Sequence, residues 1–117
     1  MSFRILHVPL SEITLDPDDT ARRLTQACAA NGQRLRVNAV CQTGAAVIFY
    51  LEADAGPARY QYVMAPFSGA TDEHVLADLH ARWQGGFSTR GLVRVDDLWL
   101  GLFERPLPPG TPAAPGP

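Results

Sequence analysis

The chain of 117 residues carries 12 acidic and 10 basic side chains spread along its length, for a formal charge of −2, with 46% hydrophobic and 19% charged residues. That length points to one core. The even charge excludes a summed field that would attract nucleic acid or an anionic membrane, and no run approaches the ~18 apolar residues of a membrane-spanning helix.

All ten basic residues are arginine, so no lysine is present to form a Schiff base or act as a catalytic amine. A basic segment followed by an apolar stretch and a small-residue cleavage site is missing, because Phe3 to Leu10 already reads as a strand. The expected compartment is therefore the cytoplasm, where Cys28 and Cys41 are expected as free thiols.

The first predicted element is the β-prone run Phe3–Val8, which stops at Pro9 because proline cannot donate to a continuing ladder. Asp16-Pro17-Asp18-Asp19 then supplies an N-cap acceptor, a proline at the first helical position and acids at the positive end of the helix dipole. A helix is predicted from Pro17 to Asn31, with Ala21, Leu24, Ala27 and Cys28 on its inward face and Gly32 after its end. From Arg34 the period changes to two, with Leu35, Val37 and Ala39 on one face and Arg34, Arg36 and Asn38 on the other. Gln42-Thr43-Gly44-Ala45 makes a turn, and Ala46–Ala53 returns as a strand apolar on both faces.

After Asp54-Ala55-Gly56-Pro57 the same order of elements begins again. Tyr60–Ser68 aligns with Phe3–Ser11 without a gap, matching Pro66 to Pro9 and Ser68 to Ser11. Thr71 caps a second helix, Asp72–Gln84, whose buried stripe is expected to be Val75, Leu76, Leu79 and Trp83, with Gly85-Gly86 ending it. A hairpin of Ser88–Val95 and Leu98–Arg105 follows, turned at Asp96-Asp97, and here Gly32, Arg36 and Phe49 correspond to Gly86, Arg90 and Phe103.

The expected fold class is thus α+β: a two-layer sandwich of about six mostly antiparallel strands with two helices on one face. It is a βαββ-βαββ pseudo-twofold repeat, ferredoxin-like in general appearance. Its units run over residues 1–55 and 58–105 of a single domain spanning 1–105. Residues 106–117 hold six prolines and no large side chain after Leu107, so they are expected to form a disordered tail.

Each half resembles small, uncharacterised bacterial βαββ domains in which a strand and helix precede a glycine-centred turn and a final strand closes on Phe-x-Arg-Pro. The second half carries Gly85-Gly86-Phe87 and Phe103-Glu104-Arg105-Pro106, and the first carries Asn31-Gly32-Gln33 and Phe49-Tyr50-Leu51. The resemblance implies the fold and brings no activity with it.

Residues with chemical potential have structural explanations close at hand. His74 and Asp78 are four apart on one helix, as a solvated pair often is, and His80 lies about 240° round from His74, so the two histidines cannot chelate together. No metal or other cofactor is expected. No nucleophile elbow or phosphate loop appears in the sequence, and no catalytic residue is assigned. Asp18-Asp19, Asp72-Glu73 and Asp96-Asp97 fall in helix first turns and a hairpin turn, where acids serve structure.

Arg34 and Arg36 share a strand face, as do Arg90 and Arg94 in the corresponding strand, so the four are a candidate anion-binding set. Two helices cover only one face of a six-stranded sheet, which leaves Tyr50, Trp99 and Phe103 as candidate interface residues on the other. The reading that follows is a non-enzymatic interaction or accessory protein associating through its sheet, as a homodimer or with another protein. The alternatives are an anion-binding regulatory module and a small dimeric α+β enzyme.

Overall fold

The computed structural model describes residues 3–54, 56, 59–69, 71–95 and 97–108. The first strand, β1 (Phe3–Pro9), ends at its proline, and the chain turns directly into a short helix α1 (Leu10–Leu15) that the sequence reading did not anticipate. Leu10 donates its amide to the Ala45 carbonyl (3.0 Å), and α1 sends the fully buried Ile13 into the core. Helix α2 (Pro17–Ala29) starts where its cap predicts: the Asp16 carboxylate accepts from the Asp19 amide (3.2 Å) and Pro17 occupies the first turn. A 3₁₀ turn, Ala30–Gly32, closes it on Gly32 at φ +72°, a left-handed conformation that glycine adopts without strain.

Strands β2 (Leu35–Gln42) and β3 (Ala46–Ala53) complete the first half; β4 (Tyr60–Pro66), α3 (Asp72–Gln84), β5 (Ser88–Val95) and β6 (Leu98–Pro106) form the second. The fold is α+β with antiparallel strands, but these form two three-stranded sheets, not the one sheet of six that the sequence predicts. Sheet 1 has the order β1-β3-β2 and sheet 2 the corresponding order β4-β6-β5. They adjoin along β2 and β5, each of which is bulged, between Val37 and Ala39 and between Thr89 and Gly91. Each bulge lies in its strand's pairing within its own sheet, β2 with β3 and β5 with β6, and twists that strand where the two sheets adjoin. The approach is close enough that a Cβ on Gly91 would stand 3.0 Å from a Val40 methyl. The β2 bulge also reverses the alternation: Val37 is buried, whereas Ala39, expected beside it, is exposed.

The core fills the space enclosed by the two sheets and α2. Val47, Phe49 and Leu51 of β3 meet Leu100 and Leu102 of β6, with Leu24, Ala21 and Cys28 of α2 closing one side. Tyr62 of β4 donates its amide to the Thr25 hydroxyl of α2 (3.1 Å), so the helix of the first half covers the free edge of the second sheet.

Helix α3 departs from expectation. None of its residues is buried, and Leu76 and Trp83 of the predicted buried stripe are 65% and 70% exposed. With α2 inside, α3 lies on the outer face of sheet 2, where the Arg82 guanidinium stands 5.0 Å over the Phe103 ring. A groove of about 360 Å³ remains beneath it, lined by Phe67, Val75, Leu76, Leu92 and Trp99.

Pro106 closes β6 and the Leu107 amide donates to the Arg59 carbonyl (2.7 Å), while 109–117 of the predicted tail lie outside the described residues, as does Asp96 of the predicted hairpin turn. The two helices are distinguished by urea unfolding. Leu24→Ala is expected to cost about 3 kcal/mol, because it leaves a cavity in a fully buried site. Leu76→Ala, mostly exposed, is expected to stay within about 0.5 kcal/mol of the parent.

Candidate functional site

Two places combine unusual chemistry with unusual exposure, and the first is the junction of the sheets. Strict alternation along β6 places Leu100, Leu102 and Glu104 on the core face, so a carboxylate stands where the pattern calls for an aliphatic side chain. Glu104 is 1% exposed and is held from three directions. The Arg36 guanidinium donates through Nε (3.1 Å) and Nη2 (2.8 Å), and the Tyr62 hydroxyl donates to the second carboxylate oxygen (2.7 Å). Arg90 Nε approaches that oxygen at 3.6 Å.

The same groups bind the two sheets where backbone pairing is missing. The Tyr62 hydroxyl accepts from the Val37 amide (2.8 Å), and Arg90 donates to the Val37 carbonyl (2.9 Å). At the far end of the junction the Gln42 side-chain amide donates to the Arg94 carbonyl and accepts from the Arg94 amide (3.0 Å). Gln42 therefore stands in for a peptide group and completes a ladder rung.

Burial dominates the acid–base behaviour of Cys28 and Tyr62 beside Glu104. It pushes the Cys28 thiol up to about 12, with the Glu104 charge adding to the effect and a hydrogen bond with Tyr62 opposing it. Burial likewise raises the Tyr62 hydroxyl, while the Glu104 hydrogen bond raises Arg36. Cys28 is thus a protonated core residue and not a nucleophile.

Of the four arginines singled out in the sequence, Arg36 and Arg90 converge, and the anion between them is the chain's own Glu104. Arg94 lies elsewhere, 3.8 Å from Asp97 and 5.5 Å over the Trp99 ring, and Arg34 contributes a carbonyl that accepts from the Asp54 amide (3.0 Å).

The second place is the outer face of sheet 1. Directly paired residues share a face, so Ile5, Tyr50 and Ala39 form one row across the three strands and His7, Ile48 and Cys41 the next. Phe3, Ile5 and Tyr50 are 64%, 50% and 36% exposed, and they adjoin one another. Tyr50 is therefore where an interface residue is expected. Trp99 is half-buried beside the α3 groove, and Phe103 is 2% exposed, packed edge-on against Phe67 within the chain.

His74 hydrogen-bonds the Thr71 hydroxyl (2.7 Å) at the helix cap, Asp78 accepts from the amide and hydroxyl of Ser68 in the segment before it, and His80 stacks on Trp83, so His74 and Asp78 each have separate local partners. The Ser68 bonds hold the Asp78 carboxyl below its ordinary range. Among the described residues no group of three or more His, Cys, Asp and Glu gathers as a metal set. Among the described residues, too, no helix is long and apolar enough to cross a membrane. The sequence reading missed Glu104, although its phase with Leu100 and Leu102 was a visible signal. Compared with family models, curated proteins and solved structures, the chain matches none.

Glu104→Ala is expected to cost about 3 kcal/mol in urea unfolding, because it strands Tyr62 and two arginines at the junction. Arg94→Ala, on an exposed pair, is expected to cost less than about 0.5 kcal/mol. In the native protein a thiol reagent is expected to label exposed Cys41 and spare Cys28 until unfolding. Above about pH 9 the unfolded Cys28 thiol ionises while the folded one keeps its proton. Stability should therefore fall as pH rises from about 9 toward 12, as melting across that range would show.

Proposed function

We propose that the chain is a non-enzymatic protein-interaction or accessory module of the cytoplasm, built from two βαββ units, that associates through the outer face of sheet 1. The observation that carries this reading is the adjoining exposure of Phe3, Ile5 and Tyr50 on one sheet face. An apolar surface of this kind on a folded domain marks an interaction site, because leaving it in water forgoes the free energy of burial. Sheet 2 offers the internal contrast, since α3 overlies its outer face, whereas among the described residues Phe3, Ile5 and Tyr50 on the outer face of sheet 1 stay exposed. The matching strand orders of the two sheets support a duplicated unit. A small-anion site at Arg36 and Arg90 is less well supported, because Glu104 already neutralises them.

The test is size-exclusion chromatography of the protein at native abundance in extract of its own cells, beside an Ile5→Glu/Tyr50→Glu variant whose fold is checked by circular dichroism. Wild type is expected to elute above the monomer mass, and the folded variant at the monomer. Elution of wild type as a monomer both in extract and when purified would falsify the reading.

A further inference from the structure

Resting on that reading, we infer that the partner on sheet 1 is a second copy of this chain, packed face to face about a twofold axis so that His7 of each copy meets Glu52 of the other. The outer face carries an imidazole, His7, at one end and a carboxylate, Glu52, at the other, around an apolar centre. The pairing register places His7 opposite Ile48 at one end, Ile5 opposite Tyr50 in the middle, and Phe3 opposite Glu52 at the other end. His7 and Glu52 are both exposed. Along the strands they are separated by about 13 Å, four residues at ~3.3 Å each, so they do not meet within one chain.

A twofold axis lying between two such faces and running across their strands reverses strand direction. It sets the His7 end of one copy over the Glu52 end of the other and superposes the Ile5–Tyr50 rows. Because β1 and β3 are neighbours, the ~5 Å offset between His7 and the partner's Glu52 is taken up by the roughly 30° crossing usual for packed sheets. Each imidazole then has a carboxylate acceptor, and the aromatic and aliphatic side chains between them form a dry centre. The contact is isologous, so both copies use the same patch and the assembly closes at two. An arrangement of imidazole donor and carboxylate acceptor complementary to its own twofold image favours a second copy over an unrelated partner. Rows on three short strands form a small interface, and the dimer is expected to dissociate on dilution.

Light scattering and sedimentation of the purified full chain over a concentration series test this. Wild type is expected to pass from monomer to dimer. His7→Glu, which places two carboxylates together at each end of the interface, is expected to weaken dimerisation about tenfold. The double variant His7→Glu/Glu52→Arg is expected to return to within about threefold of wild type. Given the separation of the two residues within one chain, that rescue arises only between chains; circular dichroism confirms that all variants fold. A wild type that stays monomeric throughout overturns the dimer, and so does a dimer indifferent to both variants. Should the purified protein be monomeric yet assembled in extract, the inference fails and the sheet-face reading survives with a different partner.

Discussion

A carboxylate in a hydrophobic core is costly unless charge and hydrogen bonds surround it, and the fold depends on how Glu104 meets that condition. Arg36 reaches it from β2, Arg90 from β5 and Tyr62 from β4, so one buried group draws in both sheets. The sheets need such a tie because β2 and β5, bulged where they meet, adjoin without extending either ladder. Tyr62 carries the tie further, accepting from the Val37 amide while its own backbone donates to Thr25 of α2. Few polar groups therefore set the position of the helix and of both sheets, and their geometry is specific in a way that apolar packing alone is not.

The same arrangement determines what remains on the surface. The interior holds one long helix, α2, whose Ala21, Leu24 and Cys28 are buried against both sheets. Helix α3 is left on the outer face of sheet 2, and sheet 1 keeps an outer face with Phe3, Ile5 and Tyr50 in water. Two sheets with corresponding strand orders thus end with opposite surfaces. The arginine pair that looked like a ligand site is consumed by the fold, whereas the apolar surface it leaves over is where association is expected.

Much of the local structure was legible in the sequence because its determinants are local. Asp16-Pro17 and Thr71 cap their helices as expected, and Gly32 and Gly86 end them at positive φ. The two hairpins pair antiparallel as their patterns require. Short α1 escaped notice because Leu10–Leu15 offers no side-chain cap and its one buried residue, Ile13, gives no period. The exposed face of Tyr50 was legible because an apolar residue on the second face of a strand is visible in the pattern, while Phe103 has the same signal and is covered by Phe67 and Arg82.

The chain by itself determined the elements, their caps and the core stripe of α2, because those follow from side chains a few residues apart. Which helix enters the core, where the sheet divides and which carboxylate neutralises Arg36 and Arg90 were decided only in three dimensions. Each depends on groups far apart in the chain: Arg36 meets Glu104 across 68 residues and Arg90 meets Val37 across 53. The bulge that turns Ala39 outward shows the physical reason most directly. One extra residue inverts every side chain beyond it, and whether a strand accommodates one depends on the strand laid beside it.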